Sequence, residues 1–263
     1  MSACFVSFGA LAGKALGAEP GSSAVPSGPI DAATTLGELV AHPAFNGGGL
    51  LLLPWYGRRE DLEAPFSEVG SLHESMPHAQ VLSEHGYNAF SLSYRAGSGD
   101  MAAEGVARAV RFVRAHASDY GIEPGAIAVM GFSAGGILAG EMLLHCAGSV
   151  TPDALDPAYV PDALDGVSAD AAACGMIYSF YGRLSVASDD VEEFASAGLP
   201  PTYFCYGTRD PFVDQFELCA EALAEAGVEV DELVLPGVGH GYGALGGWIP
   251  TYDAWLAEVL ARA

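Results

Sequence analysis

Short apolar runs alternate with segments of helical period along most of the chain. Six runs have the length and uniform hydrophobicity of buried strands: 50–53, 89–94, 127–131, 175–180, 202–206 and 230–235. Strands that lack a polar face are typical of a parallel sheet that is covered by helices on both faces.

Helical periods fill the intervals between these runs. Val106, Val110 and Val113 recur at the i, i+4, i+7 spacing of one helix face. Further helices are predicted over 134–146, 214–226 and 252–262. This alternation predicts βαβ units, and hence an α/β fold with a mostly parallel sheet and helices on both faces.

The start of the chain has a different composition. Residues 1–30 show no period, and from residue 15 they are rich in Gly, Ala, Ser and Pro. We therefore predict a loose N-terminal extension over 1–30 and a single domain over 31–263. The longest loop-like interruption of that domain is 153–170, with two prolines and five aspartates, and it is a candidate to overhang a site.

Charge narrows the range of partners. The chain has 10 basic and 33 acidic residues, and its net charge is −23. This balance argues against nucleic acid or an anionic membrane surface as a partner, because both attract clusters of Lys and Arg. No apolar run approaches the ~18 residues of a membrane helix. The only base near the start, Lys14, follows the apolar stretch instead of preceding it as in a signal peptide, so we expect a cytoplasmic protein and leave export open.

Metal and disulfide chemistry find no support in the sequence. The five cysteines are an odd number and include no CxxC pair, and the histidines form neither HxH nor HExxH. We predict no metal and no cofactor.

The segment Gly131-Phe132-Ser133-Ala134-Gly135 follows one predicted strand and precedes a helix. This is the context of a GxSxG nucleophile elbow, in which a strained turn exposes a serine hydroxyl at a helix N-terminus. The partial positive charge of that terminus favours a developing oxyanion. The GxSxG pattern alone often arises by chance. It therefore indicates a nucleophile only if the sequence also offers a base and an acid for the serine.

Two candidate partners follow later strands. Asp210 comes just after the strand 202–206, and His240 just after the strand 230–235. Carboxyl ends of parallel strands meet at one edge of a sheet, and the chain order Ser, Asp, His is that of α/β hydrolases. Asp214 is the rival to Asp210 as the acid.

These segments resemble the α/β-hydrolase family. Within it they are similar to small esterases related to acetyl-xylan and feruloyl esterases, and to the hormone-sensitive-lipase and prolyl-oligopeptidase groups. The resemblance runs from about Leu72 to the C-terminus through HGYNAFSLSYR (85–95), a helix at 101–118, GFSAGG (131–136), GTRDPFV (207–213) and GVGHGYG (237–243). It implies Ser133 as nucleophile, Asp210 as acid and His240 as base.

The sequence departs from the family at the oxyanion hole. The usual HGGG or PGGG is missing. Either the N–H of Trp55 or Tyr56 joins that of Ala134, or the segment 64–67 takes the place of the glycines, where Pro65 has no N–H to donate. The glycine run 47–49 lies before the strand and predicts a turn.

We therefore expect a serine carboxylesterase that acts on small acyl esters through an acyl-enzyme. Acetyl groups on carbohydrate are implied by the resemblance alone, and the partner is then a small-molecule or carbohydrate ester. A homo-oligomer is left open. Aromatic side chains at strand ends and in loops are candidates for the substrate pocket: Trp55, Tyr56, Phe132, Tyr178, Tyr181, Phe212 and Tyr242.

Two alternatives remain open. A peptidase of the prolyl-oligopeptidase type would share the chemistry, although such enzymes carry an additional N-terminal domain. A non-catalytic binding protein would result if the shortened oxyanion region had abolished turnover.

Overall fold

The computed structural model of the chain describes residues 4–7, 48–53, 82, 87–93, 99–150, 162–183 and 186–262. Its strands are β1 (Cys4–Ser7), β2 (Gly48–Leu53), β3 (Tyr87–Ser93), β4 (Ile127–Phe132), β5 (Ala173–Ile177), β6 (Gly182–Arg183), β7 (Val186–Ala187), β8 (Thr202–Gly207) and β9 (Val230–Leu235). Its α-helices are α1 (Gly99–Ala115), α2 (Ala117–Tyr120), α3 (Ala134–His145), α4 (Val191–Ala197), α5 (Val213–Glu225) and α6 (Ile249–Leu260), with a 3₁₀ turn at Ala163–Gly166.

Seven of the described strands form one parallel sheet in the order β1-β3-β2-β4-β5-β8-β9. Strands β6 and β7 form a separate antiparallel pair. The predicted fold class, a mostly parallel sheet with helices, is confirmed.

Helices cover both faces of this sheet. On β5, Gly175 faces Tyr252 of α6, whereas the next residue, Met176, faces Gly140 of α3. On β8, Tyr203 packs against Tyr252, while Tyr206 packs against Phe216 of α5. Helices α3 and α5 therefore lie on one face and α6 on the other, because successive strand residues point to opposite faces.

Burial explains why the strands look apolar throughout. Every residue of β4, β5 and β8 is buried. The strand β9, at the edge of the described sheet, has the charged residues Asp231 and Glu232, and both are exposed. None of β4, β5 and β8 contains a charged residue.

Three arginines of α1 hold the chain that follows α3. Arg111, 2% exposed, donates to the carbonyl oxygens of Val167, Cys146 and Gly148. Arg108 pairs with Asp162, and Arg114 donates to the carbonyl of Asp170. The described part of the interruption 153–170 is thus bound to α1; residues 153–161 lie outside the described residues, so the prediction that it overhangs a site stays untested.

Several boundaries differ from those predicted. The predicted strand 175–180 ends at Ile177, because Tyr178 adopts a positive φ of 40°. Strand β2 includes Gly48 and Gly49, so they are not part of a turn. The β6–β7 pair and α4 were not predicted from the sequence.

The N-terminal segment contains one described element. Cys4–Ser7 pairs with β3 as a parallel edge strand inside the predicted extension 1–30. The rest of that extension lies outside the described residues, and the domain boundary near residue 30 stays a prediction. Within the described ranges, no helix combines the length and hydropathy needed to cross a membrane.

Candidate active site

Ser133 lies in a strained turn between β4 and α3. Its φ of 50° and ψ of −123° fall outside the regions that L-residues favour. Its N–H donates to the carbonyl of Ile177 over 3.0 Å, and its carbonyl accepts from the N–H groups of Gly136 and Ile137. Hydrogen bonds therefore hold both the N–H and the carbonyl group of Ser133 in this strained turn.

Glycines allow this turn to be tight. A Cβ at Gly131 would lie 2.3 Å from the backbone of Gly136, and a Cβ at Gly136 would lie 2.4 Å from the side chain of Ser179. Gly131 belongs to the GxSxG pattern, whereas Gly136 lies one residue beyond it. The close approach of β4 to α3 thus requires the motif glycine Gly131, and the approach of Ser179 to α3 requires Gly136, which the motif does not include.

The three predicted polar residues meet at the carboxyl edge of the sheet. Ser133 Oγ lies 2.8 Å from Nε2 of His240, and His240 Nδ1 lies 2.7 Å from Oδ2 of Asp210. An ionised carboxylate only accepts hydrogen bonds, so Nδ1 carries the proton and Nε2 is left to accept from the serine hydroxyl.

Burial distinguishes Asp210 from its rival. The Asp210 side chain is fully buried, and its other oxygen, Oδ1, accepts the N–H of Phe212 over 3.0 Å. Asp214 lies in the first turn of α5 and is exposed. A buried carboxylate needs hydrogen-bond partners, and Asp210 finds one on each oxygen.

The loop that carries His240 is fastened to the end of β8. Tyr242 donates its hydroxyl to the carbonyl of Cys205 over 2.9 Å, and the N–H of Gly237 donates to Thr208 Oγ1 over 2.8 Å. Burial and the neighbouring Cys205 raise the pKa of Tyr242 far above its ordinary value, so this hydroxyl stays protonated. A Cβ at Gly207 would lie 2.2 Å from the carbonyl oxygen of Val238, which shows how closely the loop follows the strand.

Two aromatic rings pack against the imidazole of His240. Tyr178 contacts it edge-on at 5.1 Å between ring centres, and Phe212 at 5.5 Å. The His240 side chain is still 29% exposed, so a reactant has access to it.

One predicted oxyanion donor falls within the described chain. Ala134 is the first residue of α3, so its N–H has no partner within the helix. Trp55 and Tyr56 lie outside the described residues, as does the alternative segment 64–67. Strand β2, however, lies beside β4 with its last residue, Leu53, opposite Gly131.

The other aromatic residues predicted to line the pocket differ in how far their side chains are buried. Phe132 and Tyr181 are fully buried, and the Tyr181 hydroxyl bonds Thr202 Oγ1 at the far end of β8. Tyr178 and Tyr242 are also buried and pack on each other at 4.7 Å. Phe212 alone of the five is partly exposed. Four of these side chains therefore contribute packing, and Phe212 keeps surface for a ligand.

Sequence reasoning missed Ser179. Its hydroxyl donates to the carbonyl oxygen of Ser133 over 2.7 Å. The predicted strand ran through this position, and a serine within a buried apolar run was the signal that marked it.

Comparison with known proteins connects the chain to a protein family. The model of a protein family that is described as having the α/β-hydrolase fold matches residues 98–244, more than half of the chain. No curated protein matches the sequence.

Solved structures share the fold. Esterase 2 of Thermogutta terrifontis, with butyrate bound, is 22% identical over 82% of this chain and 85% of its own, with a TM-score of 0.61. The same esterase with propionate bound is 23% identical over 82% and 83%, with a TM-score of 0.58. An acetyl ester-xyloside bifunctional hydrolase of Caldicellulosiruptor lactoaceticus is 22% identical over 82% and 84%, with a TM-score of 0.59. At these identities the likeness establishes the fold.

Proposed function

Because this chain belongs to the family of proteins with the α/β-hydrolase fold, we propose that it is a serine carboxylesterase that hydrolyses small acyl esters. One observation carries this proposal. A serine in a strained turn, a partly exposed histidine and a buried aspartate form a continuous hydrogen-bonded chain at the carboxyl edge of the sheet. A surface serine in a glycine-rich turn would need neither partner.

The chemistry follows from the direction of these hydrogen bonds. Ser133 Oγ attacks the ester carbonyl carbon while Nε2 of His240 takes its proton. Asp210 accepts from Nδ1, holds the ring and stabilises the imidazolium that forms. When the tetrahedral intermediate collapses, the ester C–O bond breaks and the imidazolium gives its proton to the leaving alcohol. Water then attacks the acyl-enzyme with His240 again as base, which releases the acid and restores the serine.

The developing oxyanion needs at least two donors. We assign the first to the N–H of Ala134 and the second to the N–H of Trp55 or Tyr56, on the strength of the register between β2 and β4. Replacing Trp55 or Tyr56 by Pro removes the backbone donor, whereas replacement by Ala keeps it. Loss of one donor in other hydrolases lowers kcat by about 10²–10³. If neither Pro variant is slower than its Ala counterpart, the second donor lies elsewhere.

Small acyl groups, and acetyl groups on carbohydrate in particular, are the proposed substrates. Support comes from proteins of the same fold, one described as an esterase with propionate or butyrate bound and one as an acetyl ester-xyloside hydrolase. The same fold serves many substrates, so hydrolysis of acetylated xylan is the test of this part of the proposal.

Hydrolysis of p-nitrophenyl acetate, butyrate and octanoate tests the proposal, with acetylated xylan and an amide analogue in parallel. We expect turnover that falls with acyl length, that exceeds turnover of the amide, and that is lost in Ser133→Ala. Faster cleavage of the amide would favour a peptidase. A folded wild-type protein that hydrolyses none of them would favour a binding role.

A further inference from the structure

The end of β5 contacts the proposed nucleophile at both of its backbone polar groups. The carbonyl of Ile177 accepts the N–H of Ser133 over 3.0 Å, and the hydroxyl of Ser179 donates to the carbonyl of Ser133 over 2.7 Å. These two residues are separated from Ser133 by more than forty positions in the chain. The strained backbone of Ser133 is therefore fixed by a neighbouring strand and not by its own turn alone.

Tyr178, the residue between these two contacts, is itself strained. Its φ is 40°, which a bulky L-residue adopts only when its surroundings impose it. Its N–H donates to the carbonyl of Cys205 over 2.7 Å, and it is 1% exposed. The edge-on contact with the ring of His240 at 5.1 Å is made by this same residue.

Three consecutive residues thus contact two members of the proposed triad. Ile177 and Ser179 hold the backbone of Ser133, and Tyr178 packs against His240. Strain maintained by surrounding contacts is common where geometry must be set before the reaction.

We propose that Tyr178 and Ser179 are positioning residues, which together set the Ser133–His240 hydrogen bond. This inference rests on the proposed function. It replaces the pocket-lining role predicted for Tyr178, because the side chain is buried against the histidine. Ser179 bonds the backbone of Ser133 and Tyr178 packs on the ring of His240, so each acts through a member of the proposed triad. Their role is to keep Ser133 Oγ and His240 Nε2 at hydrogen-bonding distance while the side chains of Ser133 and His240 remain accessible to substrate.

Ser179→Ala removes the hydroxyl at Ser133, and Thr202→Val is its matched control. Thr202 is also a buried hydroxyl that donates to a backbone carbonyl, that of Pro200 over 3.1 Å, but it lies at the amino end of β8. We expect Ser179→Ala to lower kcat by about 10- to 100-fold with KM within about twofold. Thr202→Val should leave kcat within about twofold, and Ser179→Cys, which keeps a weak donor, should recover part of the loss. Equal kcat values for Ser179→Ala and the wild type would overturn the role of Ser179.

Tyr178→Leu removes the aromatic edge from His240, and Tyr178→Phe keeps it. Phe194→Leu is the matched control, since Phe194 is a buried ring that packs on Tyr181 away from His240. We expect Tyr178→Leu to lower kcat by about tenfold, with the Phe variant and the Phe194 variant close to wild type. A Phe variant as slow as the Leu variant would mean that the ring contact is not the cause.

A spectroscopic measurement separates this inference from the proposed function. The ¹⁵N shift of His240 Nε2 reports whether that nitrogen accepts a hydrogen bond, whether or not the protein turns over esters. We expect the shift to move toward that of a free imidazole nitrogen in Ser179→Ala and Tyr178→Leu, and to stay unchanged in Thr202→Val and Phe194→Leu. An unchanged shift in the first two variants would refute the inference even in an active enzyme. An inactive wild type with the expected shifts would refute only the proposed function.

Discussion

Asp210 and Asp214 are four residues apart, and the environment of each side chain decides which one can orient His240. Asp210 is fully buried with a partner on each oxygen, whereas Asp214 is exposed on the first turn of α5. Asp210→Asn keeps the shape but favours the wrong imidazole tautomer. We expect it to lower kcat by as much as ~10⁴, as in other triads, and Asp214→Asn to change kcat by less than about twofold. Ester hydrolysis by the two purified variants checks this, and a larger loss in the Asp214 variant would reassign the acid.

At the residue scale, the sequence identifies functional side chains that lie just past the end of a predicted strand. Ser133, Asp210 and His240 each lie within five residues of the end of an apolar run, so their meeting at one edge of the sheet was predictable. Ser179 was not, because its role depends on a contact with the backbone of a residue far away in the chain. A serine within an apolar run marks the position, but nothing in the local pattern identifies the distant residue that its hydroxyl contacts.

At the element scale, the fit of β4 against α3 depends on Gly131. An added Cβ would lie 2.3 Å from the Gly136 backbone, so Gly131→Ala must displace the start of α3 and Ser133 with it. We expect a loss of about 1–3 kcal/mol in the free energy of unfolding together with a loss of ester hydrolysis. Gly105→Ala is the control, because Gly105 lies within α1 and, apart from the helix's own backbone, no described atom comes within 4 Å of an added Cβ. That change should stabilise the protein by up to about 1 kcal/mol.

Denaturant unfolding of the two alanine variants measures both effects. If Gly131→Ala proved as stable and active as the wild type, the close approach of strand and helix would not constrain the site.

The elements also show where hydrophobic pattern stops being informative. Six apolar runs became strands of the sheet, yet the predicted strand 175–180 ended at Ile177. Tyr178, Ser179 and Phe180 are as buried as the strand itself, so burial continues where the extended backbone ends. The hydrophobic pattern indicates which residues are buried, whereas the positive φ of Tyr178 is imposed by tertiary contacts. The two-residue strands β6 and β7 are too short to leave a periodic signal.

At the scale of the whole molecule, buried thiols predict a loss of stability at alkaline pH. Burial raises the pKa of Cys174, Cys205 and Cys219 from 9.0 to about 12. Between these values the unfolded chain releases protons that the folded chain keeps, so the free energy of unfolding falls as the pH rises. Each thiol contributes at most about 1.4 kcal/mol per pH unit, and buried tyrosines act in the same direction.

Urea unfolding at about pH 8, 9.5 and 10.5 measures this slope. Cys219→Ala should show a shallower slope than the wild type, because one of the three thiols is gone. A free energy of unfolding that is constant over this range would contradict the burial of these groups.

The most direct test of the central claim is the site of covalent modification by a fluorophosphonate. The wild-type protein is labelled, digested and mapped by mass spectrometry, beside Ser133→Ala and His240→Ala. We expect a single adduct on Ser133, formed far more slowly in His240→Ala, since the histidine activates the hydroxyl. An adduct on another serine, or no adduct on a folded wild-type protein, would contradict the claim that Ser133 is the nucleophile.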